Sequence, residues 1–160
     1  MGKKSSLRDS GPGARRLKQI AALFAEQPTL KIGILGQGMH DGSLTNAEVG
    51  AIHEFGATRA GIPERSFLRA TADAKAGDWS KLLLRVGRLV GEGKLSPEEA
   101  LSIVGEQAVM DVRSRITDGP GIAPPLQPAT IRRKGSSRPL VDSGRLVQSI
   151  GYEVTKGRAR

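Results

Sequence analysis

The sequence predicts an α+β domain: a small mixed sheet packed by several helices, with an extended N-terminal arm and a long basic loop. Three observations predict it. Two segments alternate apolar and polar residues as strands do, at residues 30–35 and 150–155, near opposite ends of the chain. Between them, apolar residues recur at helical spacing in several separate runs. Glycine and proline, 21 and 9 of 160 residues, concentrate at the breaks between those runs.

Residues 1–13, with Gly2, Gly11, Pro12 and Gly13 among mixed charges, read as a flexible arm. Residues 14–27 follow as a helix, with Leu17, Ile20, Ala21 and Phe24 on one face and Pro28 as its stop. The strand at 30–35 runs into a loop bounded by Gly36, Gly38 and Gly42. Thr45-Asn46-Ala47-Glu48 has the spacing of a capping box and starts a short helix over 46–54, which Gly56 should end in a left-handed cap. Residues 58–62 read as a loop. Pro63 then opens a short helical segment carrying Phe67, Leu68 and Ala70, and a separate helix begins at Gly77 or Asp78 with Leu82, Leu83, Val86, Leu89 and Val90 apolar.

Gly91 and Gly93 break that helix. Ser96-Pro97-Glu98-Glu99 restarts the chain with an N-cap, a proline in the first helical position and a second capping box. The new helix runs to about Thr117 with a stripe of Leu101, Val104, Ala108, Val112 and Ile116. Its acids come early, and Arg113 and Arg115 late, as the helix dipole prefers. Residues 118–139 form a connection without periodicity, and a loop of that length in a small domain is a functional segment or a linker. Asp142-Ser143-Gly144-Arg145 should cap a last short helix with Leu146 and Val147 before the strand at 150–155, which can pair with 30–35. One domain over 14–155 results, followed by a basic tail at 156–160.

Composition narrows the function. The net charge is +9, unevenly placed. Residues 1–31 carry seven Lys/Arg against two acids and residues 121–160 eight against two, while residues 96–120 carry two against five. Basic ends meet nucleic acid or an acidic protein face, or are solvated tails. Five aromatic residues and 38% hydrophobic residues make a thin core and do not suit a deep apolar enzyme pocket. With no cysteine there is no disulfide, thiolate metal site or cysteine nucleophile. No apolar run approaches the roughly 18 residues that span a bilayer. No secretory signal opens the chain, so the expectation is a cytoplasmic product with no membrane partner.

Few side chains invite chemistry. His53-Glu54 lacks a second histidine four residues on, since position 57 is alanine, and His40 lies in a glycine loop, so no metal site is expected. Gly36-Gln37-Gly38 lacks the third glycine of a dinucleotide loop, and no serine sits in Gly-x-Ser-x-Gly. His53 reads as a helix-end side chain bonded to nearby backbone, or with Glu54 as a residue acting across a subunit boundary. Arg132, Arg133, Lys134 and Arg138 can follow a phosphate backbone, dock on an acidic protein surface, or stay solvated. No aromatic interleaves them, so base stacking is not expected.

Three stretches form a set: Val49-Gly50-Ala51-Ile52-His53-Glu54-Phe55-Gly56, then Ile62-Pro63-Glu64-Arg65-Ser66-Phe67-Leu68-Arg69, then a segment from Lys134 to Leu146 containing Pro139-Leu140-Val141-Asp142-Ser143-Gly144-Arg145-Leu146. With Pro125-Leu126, Thr130 and Ser149-Ile150, this order resembles the tailed-phage virion morphogenesis proteins, the tail-completion or neck family. The resemblance covers about residues 31–154, with Glu64 where a small residue is common. It implies an α+β subunit of a homo-oligomeric ring at the head-proximal end of the tail, in the virion and assembled in the host bacterial cytoplasm. It implies no reaction and no cofactor, and as partners the connector or adaptor and the tail terminator or tube. His53, Glu54, Phe55, Ile62, Pro63, Arg65, Phe67 and Arg145, with the four basic loop residues, are then the candidates for subunit or partner contacts. A basic nucleic-acid-binding protein acting in phage DNA packaging or regulation is the alternative.

Overall fold

The computed structural model describes residues 13, 18, 28–36, 38–40, 42–118, 122–134, 140 and 144–156. The arm at 1–13 and the helix expected over 14–27 fall outside them, apart from Gly13 and Lys18. The described chain is a small α+β fold. Its elements are β1 (Thr29–Ile34), α1 (Asn46–Phe55), a 3-10 turn at Thr58–Ala60, α2 (Leu68–Gly91), α3 (Pro97–Thr117), α4 (Pro128–Lys134), α5 (Arg145–Ser149) and β2 (Ile150–Thr155).

The strands pair antiparallel, from Thr29 opposite Thr155 to Ile34 opposite Ile150. Among the described residues they form a two-stranded sheet, antiparallel rather than mixed. Leu30, Ile32 and Ile34 face Val154, Tyr152 and Ile150 across the pair, so the alternation read in the sequence places one apolar row on one face. A lone two-stranded ribbon is marginal in water and needs a cover. That cover is α3, which packs on both strands and on α2. Gly105 lets it come close, because a Cβ there would lie 2.6 Å from the Tyr152 ring.

Two apolar clusters share α3. Val86, Ala100 and Val104 are buried at its N-terminal half, with Leu30, Leu82, Val90 and Leu95 against them. Val109, Val112 and Ile116 at its C-terminal half join Phe67, Ile122, Leu140, Leu146 and Ile150. Of the expected stripe, Val104, Ala108, Val112 and Ile116 are buried and Leu101 is half-buried, and Ala100, Gly105 and Val109 widen the buried face. Both capping boxes form as read, Thr45 with Glu48 and Ser96 with Glu99. Arg113 near the end of α3 donates from Nη2 to Ile150 O at 2.7 Å and ties the helix to the start of β2.

Four local expectations change. Pro63 does not open a helix; α2 begins at Leu68. It then runs unbroken through Gly77 for 24 residues, where two helices were expected. Trp79 donates to Asp111 Oδ2 at 2.7 Å and pins the middle of α2 to α3, which helps offset the roughly 1 kcal/mol that a helical glycine costs. The connection at 118–139 contains a helix, α4, and a buried Ile122. Gly56 has positive φ (74°), but its ψ of 170° is extended, not the left-handed cap expected. Gly144 takes the left-handed N-cap position of α5 without a side-chain bond, and Asp142 and Ser143 lie outside the described residues.

Candidate functional site: a cationic cleft built by the three motifs

The first two motif stretches are joined by one carboxylate. Glu54, in the last turn of α1, is 3% exposed. It accepts from the Ser66 hydroxyl at 2.7 Å and from the backbone N–H groups of Phe67, Leu68 and Arg69 at 2.8, 2.9 and 3.0 Å. Those N–H groups open α2, whose N-cap residue Phe67 has no side-chain cap of its own. Glu54 thus caps a helix from another element, placing negative charge where the dipole is positive. Arg69 Nε adds a charge-assisted bond at 3.0 Å, and its Nη2 donates to Glu54 O and Glu64 Oε1. Burial pushes the Glu54 carboxyl up, and the bonds from Leu68, Ser66, Arg69 and Phe67 together outweigh it, so its pKa falls below the ordinary 4.5.

The loop between α1 and α2 is equally constrained. Arg65 N–H donates to His53 O at 2.7 Å, and Ala57 and Ile62 exchange backbone bonds at 2.8 and 3.1 Å. A Cβ on Gly56 would come within 2.8 Å of Glu64 N, so glycine fits both the space and the positive φ. Phe55 stays on the surface, 65% exposed, with the Arg69 guanidinium 4.7 Å from its ring centroid.

Arg65 links this block to the segment after α3. Its side chain is buried, donating from Nε to Pro124 O at 3.0 Å and from Nη2 toward Pro125 O at 3.5 Å. Burial lowers its pKa, since the charged form loses water. The third motif completes the wall. Leu140 is buried with φ 64°, a left-handed leucine that costs about 1–3 kcal/mol and persists only when its surroundings hold it. The same apolar cluster contains Phe67, Leu146 and Ile150.

Between these pieces lies a cleft of about 630 Å³. Its apolar wall includes Val49, Ile62, Pro63, Pro124, Pro125, Leu126, Leu140 and Leu146. His40, His53, Arg65 and Arg145 supply its basic groups, and among the described residues its lining contains no Asp or Glu. The exposed Arg145 donates from Nη1 to His40 O, and His40 Nδ1 lies 3.0 Å from Asn46 Oδ1. No group of three or more His, Cys, Asp or Glu among the described residues is placed to hold a metal ion. No described helix is long and apolar enough to cross a membrane.

Of the sequence candidates, His53, Ile62, Pro63, Arg65 and Arg145 come together at this cleft. Glu54 and Phe67, at 3% and 0% exposure, are turned into the chain's own interior and hold the fold rather than offer a contact surface. Phe55 stands apart from the cleft on the surface. Arg132 is exposed on α4, the side chains of Arg133 and Lys134 are not described, and Arg138 lies outside the described residues. His40 and Gln127 belong to none of the motif stretches, and Leu140 belongs to the third without being a contact candidate. The sequence signal is position for the first two, His40 in the glycine loop and Gln127 beside Pro125-Leu126, and motif membership for Leu140. Comparison of the chain with known families, with curated proteins and with solved structures finds no match.

Proposed function

We propose that this chain is a structural subunit of a tailed-phage particle, forming a ring at the neck, the head-proximal end of the tail, and needed for tail completion and head–tail joining. In this role it is an assembly part and not an enzyme, and it requires no cofactor. One observation carries the proposal. The motif stretches that resemble the tail-completion family, some seventy residues apart in sequence, meet in space around a single cleft. Connector or adaptor and terminator or tube proteins are the neighbours such a ring would meet, through heterologous contacts that close by rotation.

A basic protein that binds phage DNA is the competing use of the same cations. Among the described residues the cleft lining has no Phe, Tyr or Trp, the usual stacking platform for single-stranded nucleic acid, and this favours the first reading. Disrupting the gene in the phage that carries it separates the two. Loss of a neck subunit leaves DNA-filled heads and free tails visible by electron microscopy. Empty heads, or unchanged joined particles, would overturn the assignment.

A further inference from the structure

Arg65 is the least ordinary residue of the cleft. It is 7% exposed, yet the described residues offer it only two backbone carbonyls, and none of them accepts from its Nη1. A buried charge is ordinarily paired with an opposite one, because carbonyl dipoles repay only part of the lost hydration. Arg145 stands exposed on the same lining, and among the described residues of that lining no carboxylate balances either arginine. The rest of the wall is aliphatic and proline. The recess therefore carries two requirements together, for negative charge and for apolar contact.

The chain's own ends are poor occupants. Residues 1–31 carry seven Lys/Arg against two acids, and the tail from Lys156 adds Arg158 and Arg160 without an acid. Like charge would keep them out. Duplex DNA fits no better, since it displays its phosphates around a wide cylinder that cannot enter a recess of about 630 Å³.

We propose that the cleft binds an acidic segment of a partner protein, its carboxylates paired with Arg65 inside and Arg145 outside and its apolar side chains laid on the proline wall. Arg65 suits the inner position because its planar fork meets a carboxylate bidentately and its carbonyl partners already hold it in place. Arg145 suits the outer one, where it steers the approaching segment. The assignment deepens the neck-ring proposal by naming a partner's chemistry, and it is measurable on the free chain, so either can fail without the other.

The test is fluorescence anisotropy on the full-length protein at low salt, with a labelled peptide of alternating Glu and Leu. The isosteric Gln and Leu peptide and a short DNA duplex are the comparison probes. The Glu peptide should bind at least about tenfold more tightly than the Gln peptide, as loss of a charge-assisted pair implies. Arg145→Glu, at an exposed position, should weaken the Glu peptide by a further factor of about ten while circular dichroism stays unchanged. Arg65→Lys keeps the charge, loses the fork, and should also weaken it. If Arg65→Lys fails to fold, the Arg145→Glu arm decides alone. Equal binding of the two peptides, no binding of the Glu peptide below about 1 mM, tighter binding of the duplex, or indifference to Arg145→Glu would each overturn the proposal.

Discussion

Glu54 remains a carboxylate at 3% exposure because five donors converge on it. Its pKa is lower in the folded chain than in the unfolded one. The stability it contributes is therefore fully present above the ordinary value of 4.5 and is lost as pH falls through the folded value. Urea unfolding should show a stability loss as pH falls below the ordinary value of 4.5 that Glu54→Gln largely removes. At neutral pH the same substitution should cost about 2 kcal/mol, because the amide keeps a hydrogen-bonding oxygen but not the charge. A wild-type acid transition in Glu54→Gln would show that the cap does not carry the effect. Phe67, fully buried among Val112, Leu140, Leu146 and Ile150, is the second residue on which the motif block depends. Phe67→Ala should cost about 3–5 kcal/mol by the same measurement. A loss below about 1 kcal/mol would mean that the cluster closes over the gap.

Helices whose caps are local in sequence were legible. Thr45 with Glu48, and Ser96 with Pro97 and Glu99, lie within four residues of each other, so α1 and α3 could be read with their starts. The start of α2 was not legible, because its cap is Glu54, 14 residues before Leu68 and on another helix. The continuity of α2 through Gly77 was missed for a related reason. Local propensity favours a break there, but the bond from Trp79 to Asp111 and the burial of Val86 act across elements. Gly77 is exposed, and a Cβ there would meet nothing within 4 Å. Gly77→Ala should therefore raise stability by about 0.5–1 kcal/mol. A neutral or negative change in thermal unfolding would indicate that the helix is interrupted after all. The cleft was legible as a list of motif residues but not as a place. What assembles it is the reach of Arg65 to backbone carbonyls 59 and 60 residues away, and a carbonyl carries no sequence signal.

At the scale of the molecule, β1 and β2 pair across 126 residues at Thr29 and Thr155, and α3 covers the pair. This leaves the cleft on the side built by α1, the α1–α2 loop and the segments around Pro124 and Leu140, and α4 continues from that side with Arg132 exposed. Replacing Arg132, Arg133, Lys134 and Arg138 together with Ser should leave the unfolding transition unchanged, because the apolar clusters are built from other residues. Under the neck-subunit proposal it should still lower the yield of joined particles, through loss of charge pairing and encounter steering. Wild-type titres would make the run a solvated segment. The most direct test of the neck-subunit proposal is electron cryo-microscopy of purified tailed-phage particles produced with this chain's gene present, since the proposal requires that such a phage encodes it. The proposal predicts a closed ring of this fold between head and tail, with the cleft side against a neighbouring protein. Particles that are joined and infectious but contain no copy of the chain would contradict it.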